Sequence, residues 1–178
     1  MKNLIKPLQP LEIFLQPGEY YFGDRDTRIR TLLGSCVSLT FWHPKLMVGG
    51  MCHFMLPKRG TRKPLEHASL NELDGRYADE VMILLMNEIK LLGTNKKDYQ
   101  VKLFGGGNMF PRAGKDATTQ IGHKNVLEGQ RLIKHHGFNL VAEHIGDEGH
   151  RNVAFDVWSG EVWVKHMKLA NHQGGGNE

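Results

Sequence analysis

The sequence predicts a single domain of the α+β class, a layered sandwich of mostly antiparallel strands and two main helices. Short runs of alternating apolar residues recur along the chain, which is typical of half-buried strands. Only two segments space their apolar residues as a helix does, and a glycine follows each of them. A length of 178 residues is usual for one domain. Many strands with two helices indicate a layered α+β sandwich.

The first half of the chain is predicted to consist mainly of strands. Residues 1–18 are interrupted by prolines and are expected to be an irregular or edge segment, so that the domain itself spans 19–169. Alternation of apolar and polar residues predicts strands at 28–33, 37–42 and 48–56.

A long polar loop is predicted at residues 57–76, and loops of that length are usually functional or mobile. It contains the one local basic cluster of the chain, which comprises Lys58, Arg59, Arg62 and Lys63. A solvated loop is the favoured interpretation. The cluster would still help to attract an acidic protein partner.

The second half is predicted to alternate helices and strands before a closing hairpin. Helices are expected at 77–92 and from about 124 to 136, with strands at 99–104 and 138–142. A turn at 159–160 then joins two strands, 153–158 and 162–167. The glycine-rich tail, residues 170–178, is expected to be disordered.

Composition and charge exclude several classes of protein. A formal net charge of +4 is too small to indicate nucleic-acid binding. The longest apolar run, residues 81–86, is too short to span a bilayer, and no secretory signal is evident at the start. Two cysteines without a CxxC or ligand-like spacing favour neither disulfides nor a metal site. A reduced, cytoplasmic protein that takes no metal or organic cofactor is therefore predicted.

Cys36 and His53 are the strongest candidates for chemistry. Cys36 ends a small-residue turn, LGSC at 33–36, between two predicted strands, and His53 lies on the next strand. A thiol at such a corner with a histidine nearby is suited to nucleophilic catalysis, and backbone N–H groups of the turn could hold an oxyanion. Buried packing residues are the competing interpretation for both. Cys52 cannot share a cleft with His53, because adjacent strand residues face opposite ways.

Several motifs in this sequence are similar to those of a bacterial family, the chemoreceptor glutamine deamidases called CheD. They occur in order over nearly the whole chain, and together they make a specific match. The six segments are LGSC at 33–36, GGMCHFMLP at 49–57, RYAD at 76–79, FGGGNMF at 104–110, IGHKN at 121–125 and AEHIG at 142–146.

The resemblance implies an α/β/β three-layer fold and a cysteine–histidine pair formed by Cys36 and His53. It also implies a third catalytic residue, a threonine that precedes the LGSC turn. In some family members this threonine lies six residues before the cysteine, where this chain has Arg30. The nearest threonine is Thr31, which a local shift or bulge would have to bring to the site, unless another group takes the orienting role.

The activity that the resemblance implies is hydrolysis of glutamine side chains to glutamate on the cytoplasmic helices of chemoreceptors, which tunes sensory adaptation. Family members can also bind a chemotaxis phosphatase, so a non-catalytic adaptor is one alternative. Another cysteine–histidine hydrolase or acyl transferase is the second, because it would use the same chemistry.

Overall fold

The computed structural model describes residues 6–60, 65, 68–111 and 117–169, with the backbone alone at 117–119. The strands are β1 (Leu11–Phe14), β2 (Tyr20–Gly23), β3 (Thr27–Leu33), β4 (Val37–His43), β5 (Val48–Cys52), β6 (Gln100–Gly105), β7 (Asn139–Ile145), β8 (His150–Asp156) and β9 (Glu161–Met167). The two helices are α1 (Ala78–Leu91) and α2 (Ala117–His135).

The strands form two sheets, and the predicted α+β class is confirmed. One sheet has four strands in the order β1-β3-β8-β9, and the other has five in the order β2-β5-β4-β6-β7. Five of the seven pairings are antiparallel, and only β1–β3 and β6–β7 are parallel. Within the N-terminal segment, Leu11–Phe14 forms an edge strand of the four-stranded sheet.

The five-stranded sheet is the middle of three layers. Its β4 residues Val37, Leu39 and Phe41 pack with α1 and α2 in one hydrophobic core. A second core lies between the two sheets and joins Ile29 of β3 to Met51 of β5. Strand β4 is therefore buried on both faces, which makes it a rigid support for the turn that precedes it.

Helix α2 begins earlier than predicted, at Ala117 rather than near Lys124. Gly122 weakens the helical pattern in the sequence, because glycine is a poor residue inside a helix. In the fold, a Cβ atom at Gly122 would lie 2.7 Å from the carbonyl oxygen of Gly106. The glycine is thus required by close packing of two backbones, which the sequence pattern does not reveal.

The third predicted strand, 48–56, is shorter in the structure because β5 ends at Cys52. Its continuation forms one bridge between Phe54 and Val37. The loop after it includes a short 3-10 helix, Leu70–Glu72. Arg59 forms two 2.9 Å hydrogen bonds with buried Glu80, so it is not a free cation of the basic cluster.

Three sequence predictions concern residues that the structure does not describe: Arg62, Lys63 and the tail at 170–178. Within the described ranges, no helix is long and apolar enough to cross a membrane.

Candidate active site

The structure places Thr31, Cys36 and His53 around the space between the two sheets. Thr31 lies on β3, whose alternate residues point inward, and its side chain is buried. Cys36 belongs to the turn between β3 and β4 and is partly exposed. His53 follows the last residue of β5 and is only 2% exposed.

Backbone hydrogen bonds between Val37 and Phe54 set Cys36 and His53 on the same face of the sheet. Val37 and Phe54 exchange two backbone hydrogen bonds, of 3.0 and 2.9 Å, and both side chains face the helices. The preceding residue of each segment, Cys36 or His53, must then face the other way. These two are diagonal neighbours of an antiparallel pair, whose backbone positions are roughly 7–8 Å apart. Nε2 of His53 has no hydrogen-bond partner among the described residues, so the Cys36 thiol is not hydrogen-bonded to it in this structure.

Cys52 lies on the opposite side of the sheet from His53, as strand geometry requires. It is fully buried in the core beneath the helices. Burial raises the pKa of its thiol to about 12, so it stays protonated at neutral pH. Cys36 is thus the only one of the two cysteines that a substrate can reach.

Thr31 holds the ring of His53 and selects its tautomer. The Thr31 hydroxyl lies 2.8 Å from the carbonyl oxygen of Leu15 and 2.7 Å from Nδ1 of His53. The carbonyl can only accept, so the single hydroxyl proton is donated to Leu15. Nδ1 must then carry a proton and donate it to Thr31, which leaves Nε2 unprotonated.

Nε2 of His53 is a buried nitrogen that is able to accept a proton. Nε2 is buried and has no hydrogen-bond partner among the described residues. Burial lowers the pKa of His53 to about 4, against smaller opposing effects of the nearby Leu15 carbonyl and of the charge of Glu19. The imidazole is therefore neutral at pH 7 and can accept a proton.

Burial raises the pKa of the Cys36 thiol above its ordinary value. The resting site therefore holds a neutral thiol and a neutral imidazole rather than an ion pair.

Glycines after β6 support the turn that carries Cys36. The N–H of Gly106 donates to the carbonyl of Cys36 at 2.9 Å, and the N–H of Gly107 donates to the carbonyl of Gly34 at 2.8 Å. Gly105 has a φ of +109° and a Cβ there would lie 2.3 Å from the Cys36 carbonyl oxygen. Only glycine fits this position.

Thr31 reaches His53 without the bulge that the offset from the family position had suggested. The pairing of β3 with β8 is continuous from Arg28 to Leu33. Arg30 points outward, with 56% of its side chain exposed, and cannot take the role of the family threonine. Sequence reasoning did not find Leu15, because a backbone carbonyl leaves no signature in residue type.

No group of three or more histidine, cysteine, aspartate or glutamate side chains in the described part of the chain could hold a metal ion. The three residues at the site are a thiol, an imidazole and a hydroxyl that is hydrogen-bonded to the imidazole. That set suits acyl transfer from an amide or ester.

Comparisons with known proteins agree with the motifs. A family model described as CheD chemotactic sensory transduction matches residues 55–166. A probable chemoreceptor glutamine deamidase CheD of Pseudomonas savastanoi pv. phaseolicola is 49% identical over 164 residues, 92% of this chain and 89% of that protein.

More distant relatives have related names. A probable chemoreceptor glutamine deamidase CheD 1 of Leptospira interrogans is 38% identical over 167 residues, which cover 91% of this chain and 96% of that protein.

Among solved structures, a hypothetical protein YfiH of Bacillus licheniformis is similar over 70% of this chain and 49% of that chain, with a TM-score of 0.43 and 12% identity. A TM-score this low supports no conclusion.

Proposed function

The chain belongs to the CheD family of chemoreceptor glutamine deamidases, and from this premise we propose that it hydrolyses glutamine side chains of chemoreceptors to glutamate. Cys36 is the nucleophile, His53 the general base and acid, and Thr31 the residue that orients His53. No metal or organic cofactor enters the chemistry. The reaction is assigned to the cytoplasm, where the thiol stays reduced.

The observation that carries the proposal is the hydrogen bond between Thr31 and Nδ1 of His53, at 2.7 Å. Nε2 is left without a hydrogen-bond partner among the described residues, and the backbone pairing of Val37 with Phe54 sets Cys36 and His53 on the same face of the sheet. A base oriented by a third group beside a reachable thiol is the general arrangement of a covalent hydrolase.

The first half-reaction forms a thioester. Nε2 of His53 removes the thiol proton as the sulfur of Cys36 attacks the carboxamide carbon of the glutamine. The carbonyl oxygen becomes an oxyanion, which backbone N–H groups of the turn stabilise. When the tetrahedral intermediate collapses, the C–N bond breaks, and the proton on His53 passes to the departing nitrogen to give ammonia.

The second half-reaction releases glutamate. His53 removes a proton from a water molecule, which attacks the thioester carbon. The C–S bond then breaks, and the thiol of Cys36 regains its proton from His53. The sum of the two half-reactions converts one amide and one water to one carboxylic acid and one ammonia, which then ionise in solution to carboxylate and ammonium.

The new carboxylates give the reaction its place in signalling. They lie on the cytoplasmic helices of the receptor and become available to a methyltransferase, which tunes sensory adaptation. A chemotaxis phosphatase is a second proposed partner, since family members can bind one.

Mass spectrometry of a receptor cytoplasmic fragment incubated with the protein tests the proposal. We expect glutamine residues of the fragment to become glutamate with stoichiometric release of ammonia. Cleavage of the fragment would indicate a peptidase, and cross-linked chains would indicate an acyl transferase. A fragment that binds but keeps all of its amides would indicate an adaptor. Each of these three results would contradict the proposal.

A further inference from the structure

Hydrogen bonds to three carbonyl groups, those of Gly34, Ser35 and Cys36, hold the turn that carries Cys36. The carbonyls of Gly34 and Cys36 accept from Gly107 and Gly106, as described above. The carbonyl between them, that of Ser35, accepts from the side chain of Asn125 at 3.1 Å. Among the described residues, Asn125 is the only group that bonds to this carbonyl.

Asn125 lies on α2, in the IGHKN motif, and is completely buried. Its Nδ2 group also donates to the carbonyl of Met55, at 2.7 Å. Two carbonyl acceptors fix which end of the amide is the nitrogen, because an oxygen there would face two other oxygens. One side chain thus joins the turn of Cys36 to the segment that follows His53.

The bond to Ser35 sets the direction of a backbone donor. In a planar trans peptide, the N–H of Cys36 points opposite to the carbonyl of Ser35. Because that carbonyl is directed at Asn125, the N–H of Cys36 points away from α2. It has no acceptor among the described residues. This N–H is available at the place where an oxyanion would form on a carbon attacked by the same residue's sulfur.

We propose that Asn125 is a positioning residue for the reaction, whose amide holds the 35–36 peptide so that the Cys36 N–H faces the oxyanion. The inference rests on the proposed function and adds a residue that does not touch the substrate. Hydrogen-bond donors stabilise an oxyanion most when they are already oriented towards it. A peptide that must rotate during the reaction loses much of this stabilisation to its own reorientation.

The nitrogen of the amide, and not its oxygen, accounts for asparagine at this position. Oδ1 of Asn125 is buried and has no partner among the described residues. A buried polar atom without a partner is unfavourable. An apolar side chain of similar size would avoid that cost but would leave the carbonyls of Ser35 and Met55 without this donor. The two hydrogen bonds that Nδ2 donates are therefore what asparagine contributes at this position.

The position of His53, unlike that of the Cys36 N–H, is set by bonds to residues other than Asn125. Its backbone N–H donates to Glu19 at 2.9 Å, its carbonyl accepts from Gly18 at 2.7 Å, and its ring is bonded to Thr31. Removal of the Asn125 amide should therefore loosen the peptide before Cys36 and leave the base in place. This difference makes the proposal testable.

The test compares two reactions of the same thiol in Asn125→Ala and Asn125→Asp. Asn125→Asp keeps the shape of the side chain but loses the amide donor. Deamidation of a receptor fragment forms an oxyanion, whereas alkylation of Cys36 by iodoacetamide does not. We expect kcat for deamidation to fall at least about tenfold, with KM within about twofold. The alkylation rate at each pH should stay within about twofold of the wild-type rate.

Ile133→Ala is the matched control. Ile133 is a buried residue of the same helix and of the same core but has no hydrogen bond to the turn. It should leave kcat close to wild type at temperatures where circular dichroism shows each variant folded.

Unchanged kcat in both Asn125 variants would overturn the inference. So would a parallel loss of deamidation and alkylation, or an equal loss of kcat in Ile133→Ala, because each would indicate general loosening. The proposed function fails separately, if Cys36→Ala deamidates as fast as wild type.

Discussion

Thr31 controls both the position and the proton of the imidazole with a single hydroxyl group. Its proton is donated to Leu15, so its oxygen accepts from Nδ1 of His53. Thr31→Val should therefore lower kcat at least about tenfold, because the methyl group that replaces the hydroxyl cannot select the tautomer. Thr31→Ser should retain most of the activity. Ammonia release from a receptor fragment measures both.

Arg30→Ala serves as the control for the two Thr31 variants. Arg30 is adjacent to Thr31 in the sequence but points to the outer face of the sheet. We expect its kcat to stay within about twofold of wild type. If Arg30→Ala lost more activity than Thr31→Val, the orienting role of Thr31 would be wrong.

If His53 is the base, as proposed, its lowered pKa sets the acid limit of the activity. The base must be neutral, and burial brings its pKa to about 4. We expect kcat/KM to hold as the pH falls through 6 and to decline only near pH 4. A profile that declines with an apparent pKa near 6.5, the ordinary value for histidine, would contradict a buried base.

The same pKa shift links stability to pH. The unfolded chain binds a proton at His53 near pH 6.5, whereas the folded protein binds it near pH 4. Stability from this group is complete above pH 6.5 and is lost as the pH falls towards 4, by up to roughly 3 kcal/mol. In urea unfolding, His53→Gln should reduce this pH dependence between pH 6.5 and 4. An identical dependence in the variant would contradict the shift.

At the scale of elements, α2 and the glycine run after β6 determine where the Cys36 turn lies. A Cβ atom at Gly106 would lie 2.3 Å from Val126 of α2 and 2.8 Å from the carbonyl oxygen of Gly122. Gly106→Ala should therefore push the helix away from the turn and reduce both stability and kcat.

Gly137→Ala is the matched control for Gly106→Ala. The φ angles are alike, +69° at Gly106 and +72° at Gly137, but nothing lies within 4 Å of a Cβ at Gly137. Both variants should lose about 1–2 kcal/mol of stability from backbone strain. Gly106→Ala should lose about 1–3 kcal/mol more from overpacking, measured by urea unfolding. Equal losses would show that the contact between α2 and the turn is not tight.

Periodicity sufficed to predict most elements, because strands and helices with one buried face repeat their apolar residues. The start of α2 could not be predicted in this way. Its first turns contain Thr118, Thr119 and Gly122, which are weak helix formers. The close approach of Gly122 to Gly106, which explains the glycine, is a tertiary contact that local pattern does not contain.

At the scale of the whole molecule, the site depends on how the two sheets are positioned relative to each other. Cys36 precedes β4 and His53 follows β5, and these two strands are consecutive in the sequence, so the proximity of the two residues could be predicted. The contact of Thr31 with His53 crosses from one sheet to the other, and no local signal sets that register. The resemblance to the family indicates Thr31, whose offset of one residue from the family position is accompanied by no bulge in the pairing of β3 with β8.

The exposure of the Cys36 turn bears on the choice of substrate. A thiol at a partly exposed corner suits a long side chain that reaches in from a folded partner, whose backbone stays outside. Glutamine has one methylene more than asparagine, worth about 1–3 kcal/mol in a fitted pocket. Most of the binding free energy should then come from the surface of the receptor helices.

Free glutamine and short unstructured peptides should therefore be poor substrates, whereas glutamines on a folded receptor bundle should be deamidated. Rates of ammonia release per glutamine, measured on the three substrates at equal glutamine concentration, test this. Comparable rates would indicate a small-molecule amidase instead.

The most direct test of the account compares Cys36→Ala with Cys52→Ala on a receptor cytoplasmic fragment, by mass spectrometry of its glutamine-containing peptides. Both variants remove one thiol, but Cys52 faces the core beneath the helices. We expect Cys52→Ala to convert glutamine to glutamate at a measurable rate, with a stability loss of about 1 kcal/mol from the small cavity. Cys36→Ala should be folded and produce no glutamate. Glutamate formation at the wild-type rate by Cys36→Ala would show that the thiol of the turn is not the nucleophile.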